Sequence, residues 1–89
     1  MAQVKFDGML REFVPRLSMD VPANSVGGLL DELEKESPRL RRRLRDETGT
    51  VRQFVRIFVN GEDVRGLDGL KTPLAPNDQV DILHSIQGG

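Results

Sequence analysis

One stretch of this chain places its apolar residues at helical spacing, and segments of alternating apolar residues lie on both sides of it. Val26, Leu29, Leu30 and Leu33 fall at i, i+3, i+4 and i+7, which gathers them into one stripe of an amphipathic helix. Ser25 is placed to cap that helix with its hydroxyl, and Asp31, Glu32, Glu34, Lys35 and Glu36 are expected on the wet side. A lone amphipathic helix needs another layer against which to bury its stripe, and the flanking alternating segments can supply a sheet. The chain has 89 residues, enough for one core and too few for a second domain.

Val4 and Phe6 alternate with Gln3 and Lys5, and Leu17, Met19 and Val21 alternate with Ser18 and Asp20, which predicts two strands close enough to form a hairpin. Gly8 to Pro15 reads as the loop between them, carrying Met9, Leu10, Phe13 and Val14 in search of burial. Gly27 and Gly28 either weaken the first turn of the helix or allow it to pack closely on the sheet. Ser37-Pro38 signals a fresh cap and a short second helix, with Leu40 and Leu44 inward and Arg39, Arg41, Arg42, Arg43 and Arg45 fanned over the rest.

Beyond it, Val55, Ile57 and Val59 are expected on one face of a strand, with Phe54, Arg56 and Phe58 on the other. Asn60-Gly61 is a strong turn signal, Asp63-Val64-Arg65 a brief return, and Pro76-Asn77-Asp78 a further turn. Val80 and Ile82 alternate with Asp81 and Leu83 in a last strand. Two strands, a helix, an extra helical turn and two or three more strands make an α+β protein. The layout is that of the β-grasp (ubiquitin-like) fold: a mixed four- to five-stranded sheet with one main helix on one face, and the first and last strands parallel at its centre. All-antiparallel pairing is the competing topology. Residues 1–85 form the expected domain, and residues 86–89 a flexible tail.

Side-chain chemistry is scarce. There is no Cys, Trp or Tyr and a single His, which excludes a disulfide framework, a thiolate or multi-histidine metal site and a cysteine nucleophile. No metal site and no catalytic residue is expected. His84 and Ser85 are strand neighbours that point to opposite faces, so they do not make a nucleophile–base pair. Gly66 to Thr72, GLDGLKT, lacks the adjoining Gly-Lys-Ser/Thr of a phosphate loop, and Pro73 and Pro76 bar the helix that must follow. The arginine run has no interleaved aromatic and the chain carries net charge −1, so a solvated helix face is favoured over direct nucleic-acid binding, with steering of an acidic partner as a lesser alternative. No apolar run reaches the roughly 20 residues of a membrane span and MAQVKFDGML lacks a signal-peptide layout, so a cytoplasmic location without membrane contact is expected.

Two features remain. Phe54, Phe58 and Leu83, with Arg56 among them, are placed opposite the helix, where an apolar cluster makes a partner-binding face unless the 8–15 loop or the Arg56 and Arg65 stems cover it. The chain ends Ile86-Gln87-Gly88-Gly89, and two terminal glycines arise by chance about once in 200 sequences. Glycines leave a thin strip that can thread a narrow channel, and four extended residues reach roughly 13–14 Å. The carboxylate of Gly89 is then an unhindered electrophile precursor.

The segment Phe54-Val-Arg-Ile-Phe-Val-Asn-Gly-Glu-Asp-Val-Arg65, with Gly69-Leu70, Leu74, Asp78, Val80 and Gly88-Gly89, resembles the MoaD/ThiS family of ubiquitin-like sulfur carriers. The resemblance covers essentially the whole chain, including Ser25 to Leu33, and is greatest to the cysteine-biosynthesis carriers (CysO-type) and the archaeal modifier-like branch. His84-Ser85-Ile86-Gln87 replaces the proline-containing lead usual before the diglycine.

The resemblance implies a carrier that is a substrate, not an enzyme. An E1-like adenylyltransferase (MoeB/ThiF type) would use ATP and Mg²⁺ to adenylate Gly89, and sulfide or an enzyme persulfide would displace AMP to leave a thiocarboxylate. No cofactor would be bound by the chain itself. Implied partners are a sulfur donor such as a cysteine desulfurase or rhodanese, an acceptor enzyme such as a cysteine synthase, and a metalloprotease that processes the C-terminus. Cysteine, molybdopterin, thiamine thiazole and thiolated tRNA are the candidate destinations of the sulfur. Alternatives are a ubiquitin-like modifier joined to lysines through Gly89, and a β-grasp binding module whose diglycine is incidental.

Overall fold

Alternation in the opening residues produces the first strand: β1 (Ala2–Phe6) buries Ala2, Val4 and Phe6 and exposes Gln3 and Lys5. The computed structural model describes residues 1–35 and 37–84; the expected tail, Ile86, Gln87, Gly88 and Gly89, lies outside the described residues, as do Glu36 and Ser85. β2 (Ser18–Val21) pairs antiparallel with β1, as the predicted hairpin requires. The intervening segment is more ordered than a plain loop. Gly8–Phe13 winds as a 3₁₀ helix, started by the Asp7 carboxylate accepting from the Met9 N–H at 3.1 Å, and it sinks Leu10 completely into the core.

α1 (Val26–Glu34) starts at Ser25, whose Oγ accepts from the Gly28 N–H at 3.0 Å. Its stripe is fully realised, with Val26, Leu29 and Leu30 at 0% exposure. A Cβ on Gly27 would stand 3.1 Å from the Leu70 carbonyl oxygen, so the close approach that favours glycine is to the 69–71 turn and not to the sheet. α2 (Pro38–Leu44) starts at Ser37, whose Oγ accepts from the Leu40 N–H, and buries Leu40 and Leu44.

β3 (Val55–Val59) turns through Asn60 and Gly61, both at positive φ, into β4 (Glu62–Asp63). This two-residue hairpin needs left-handed backbone at both positions, which Asn-Gly supplies most readily. The expected return strand is shorter than 63–65, because Val64–Gly66 leaves it as a 3₁₀ turn capped by Asp63. β5 (Gln79–His84) closes the sheet.

The strand order is β2-β1-β5-β3-β4, with β1 and β5 parallel at the centre and every other pair antiparallel. Helices on one face of this mixed five-stranded sheet make the β-grasp arrangement, and the all-antiparallel alternative is excluded. Among the described residues, one cluster of 18 buried apolar residues fills the space between sheet and helices.

One expectation about the helices is overturned. Glu34 is buried rather than wet, and Arg45 is buried rather than fanned into solvent, with 7% and 8% exposure. Glu34 lies eight residues after Val26, so it continues the apolar stripe by helical geometry, and the end of α2 brings Arg45 onto it.

Candidate functional site: the outer sheet face and the end of β5

Strand alternation places Arg56 and Phe58 of β3 and Leu83 of β5 on the face away from the helices. Arg56 stands directly opposite Leu83 in the ladder, and Phe58 opposite both Asp81 and Asp63. Asp81 in turn stands opposite Lys5 of β1. The face is therefore a row of charges around two apolar residues. Leu83 is 40% exposed and Phe58 half-buried. The Arg56 Nη1 lies 3.8 Å from Asp63 Oδ2, with its side chain mostly in water, so this long pair leaves the guanidinium available to another carboxylate.

Phe54 does not join this group. It precedes β3, where strand alternation does not yet apply, and it packs against the core with its ring edge-on to His84 at 4.9 Å. The covering elements also go elsewhere. Arg65 turns back to donate from Nη2 to the carbonyls of Gln53 and Val55, and the 8–13 turn directs Leu10 and Phe13 toward the core. Leu83 is left exposed beside Arg56.

The end of β5 is held in place by Asp7. Its backbone N–H donates to the Ile82 carbonyl at 2.9 Å, and its carboxylate accepts from the His84 N–H at 3.3 Å. The central strand that leads toward the diglycine is thus fixed through its last described residue. The His84 side chain is half-buried on the helix side of the sheet. Burial, and then the nearby charge of Arg43, holds its pKa below the usual value. A neutral imidazole at this position packs on Phe54 and has no hydroxyl base partner among the described residues.

The turn that begins β5 is set by Asp78, which accepts from the Ala75 N–H and the Asn60 Nδ2 and is lowered in pKa chiefly by the former. Within the GLDGLKT segment Gly66 closes one 3₁₀ turn and Gly69–Lys71 forms another, and Pro73 and Pro76 follow in place of a helix. Among the described residues there is no grouping of three or more His, Asp or Glu able to hold a metal ion, and no helix long and apolar enough to cross a membrane.

The sequence did not reveal the buried polar pair behind the site. Arg45 donates from Nε to Glu34 at 3.1 Å and from Nη2 to Asp31 at 2.9 Å, joining α2 to α1. Burial raises the Glu34 pKa, and Arg45 opposes that rise. The i+8 position of Glu34 was the available signal.

The ThiS family model matches residues 4–89, a span that takes in the site and the diglycine. The chain is 36% identical to the sulfur carrier protein CysO of Mycobacterium tuberculosis over 81% of its length and 80% of that protein's. It is 35% identical to small archaeal modifier protein 3 of Haloferax volcanii, over 98% of this chain and 97% of the other. A chain in the crystal structure of the Amycolatopsis orientalis BexX/CysO complex superposes with a TM-score of 0.88 at 27% identity, covering 100% of both chains.

Proposed function

The chain belongs to the ThiS family, small ubiquitin-like sulfur carriers rather than enzymes, and on that footing we propose that Gly89 carries sulfur as a thiocarboxylate. The family match running unbroken from the first strand through Gly89 is the observation that carries this reading. The Gly89 carboxylate attacks the α-phosphorus of ATP, held with Mg²⁺ by an E1-like adenylating enzyme, and pyrophosphate leaves. Sulfide then attacks the acyl carbon and expels AMP, leaving the thiocarboxylate. A persulfide donor would instead give an acyl disulfide, from which a second thiol releases the same product. The carrier contributes a carboxylate without side-chain hindrance and a domain by which the enzyme holds it.

The outer face bearing Arg56, Phe58 and Leu83 is the proposed seat of the adenylating enzyme. Its support is the exposed apolar residue beside a weakly paired guanidinium. Similarity to CysO favours a cysteine-forming acceptor enzyme over the other sulfur destinations. Isotope exchange between pyrophosphate and ATP, catalysed by the adenylating enzyme, should depend on this chain and stop when Gly88 and Gly89 are deleted. Exchange that survives the deletion would refute adenylation at Gly89.

The similarity to a small archaeal modifier favours a second use of the same adenylate, transfer of Gly89 to lysine amines of other proteins. Conjugates linked through Gly89, found by peptide mass spectrometry in cells, would support it.

A further inference from the structure

The five arginines between Pro38 and Arg45 distribute charge unevenly. Without them the chain has eight basic against fourteen acidic residues, a net charge of −6. Arg45 is neutralised on the spot by Glu34 and Asp31, and Arg41 turns the same way, its guanidinium half in water 3.7 Å from Glu34. The other three converge. Arg39 and Arg43 are one helical turn apart on α2, and their guanidinium carbons lie 5.0 and 4.8 Å from the centroid of the same Phe13 ring. Like charges at this spacing repel. The ring offsets part of that cost, and Glu12 adds only a pair at 3.9 Å from Arg39, between side chains mostly in water.

Phe13 is a fixed platform. Its ring packs on the core, and its carbonyl accepts from the Ser37 hydroxyl at the cap of α2. Beside it Glu12, Phe13, Arg39, Arg42 and Arg43 line an open hollow of about 260 Å³. We infer that this hollow, walled by three arginines over Phe13, is a docking patch for an acidic segment of a partner protein.

Guanidinium groups already held against a ring lose less freedom when they pair with carboxylates, and two or three together match a short acidic stretch. The −6 remainder repels that stretch elsewhere, so the charge distribution orients the partner as well as attracting it. It also disfavours an extended polyanion such as RNA, and the guanidiniums occupy the Phe13 ring where a base would stack. The 8–13 turn that carries Phe13 starts at Asp7, whose carboxylate accepts from the His84 N–H, so the element that presents the patch also holds the end of β5.

The test is a titration of the ¹⁵N-labelled full chain with an oligoglutamate peptide, an unstructured single-stranded RNA and inorganic phosphate in parallel. The peptide should shift the amides of Phe13 and of residues 39–43, weaken with salt, and bind at least about tenfold less tightly to Arg42→Glu/Arg43→Glu. Lys71→Gln, on the exposed 69–71 turn and outside both surfaces, should leave that affinity unchanged. Should charge reversal disturb the fold, Arg42→Gln/Arg43→Gln must still weaken binding with an otherwise unaltered spectrum. Shifts elsewhere, no saturable binding, or tighter binding of RNA or phosphate at the patch would each overturn the inference. None of these outcomes depends on whether Gly89 is activated.

Discussion

Arg45 reaches from the end of α2 to Glu34 on α1, its Nε 3.1 Å from Oε2, and both side chains are shut away from water. Removing one member of a buried ion pair leaves the other charge uncompensated, typically at about 3–5 kcal/mol. Arg45→Met should therefore lower stability by roughly that amount at neutral pH, measured by urea denaturation. Glu34 already resists ionisation because it is buried. Without Arg45 it should take up a proton more readily, so the deficit should shrink as pH falls toward 4. The double variant Arg45→Met/Glu34→Leu should recover most of the loss.

Gly27 gives the helix its close contact with the 69–71 turn. Alanine ordinarily favours a helix over glycine by about 1 kcal/mol, so an unpacked site would gain stability from Gly27→Ala. Here the added Cβ meets the backbone oxygen of Leu70 at 3.1 Å, and a net loss of about 1 kcal/mol is expected. Denaturation midpoints of wild type and variant decide the sign.

The strand ladder and both caps were legible because they depend on local rules. Ser25, Ser37 and Asn60-Gly61 act within a few residues of themselves, and Val55, Ile57 and Val59 alternate without interruption. Phe54 lies off the outer face because strand alternation begins only at Val55, and its ring turns to His84 instead. The Glu34–Arg45 pair, and Phe13 under two arginines, bring together residues 11, 26 and 30 positions apart, and no periodicity reports such meetings. The outer face was half legible: parity placed Arg56, Phe58 and Leu83, while their exposure depended on where Arg65 and the 8–13 turn went.

His84 links stability to pH. Its folded pKa lies below the ordinary imidazole value near 6.5, because burial and Arg43 disfavour the cation. The unfolded chain therefore binds the proton more readily than the folded one. The contribution is fully present above the unfolded pKa and is lost as pH falls from there toward the folded value. Stability should decline as pH falls through about 6.5, and His84→Phe should remove that decline. A decline of unchanged size in the variant would place its source elsewhere.

On the outer face, Arg56→Glu with Phe58→Ala should slow adenylation of Gly89 about tenfold or more through a higher KM, since the face is proposed to bind and not to react. The melting temperature should move little, because Arg56 is exposed and Phe58 only half-buried. Equal KM and kcat in the variant would remove this face from the account.

The central claim is that sulfur is carried on the terminal carboxyl group. Intact-protein mass spectrometry after incubation with the adenylating enzyme, ATP, Mg²⁺ and sulfide tests it most directly. Replacement of one oxygen by sulfur, located at Gly89 by fragmentation and lost in a chain without Gly88-Gly89, is the predicted result. An unmodified Gly89 under conditions in which a ThiS-family carrier of known activity is converted, with full biological activity retained by the tail-deleted chain, would contradict it.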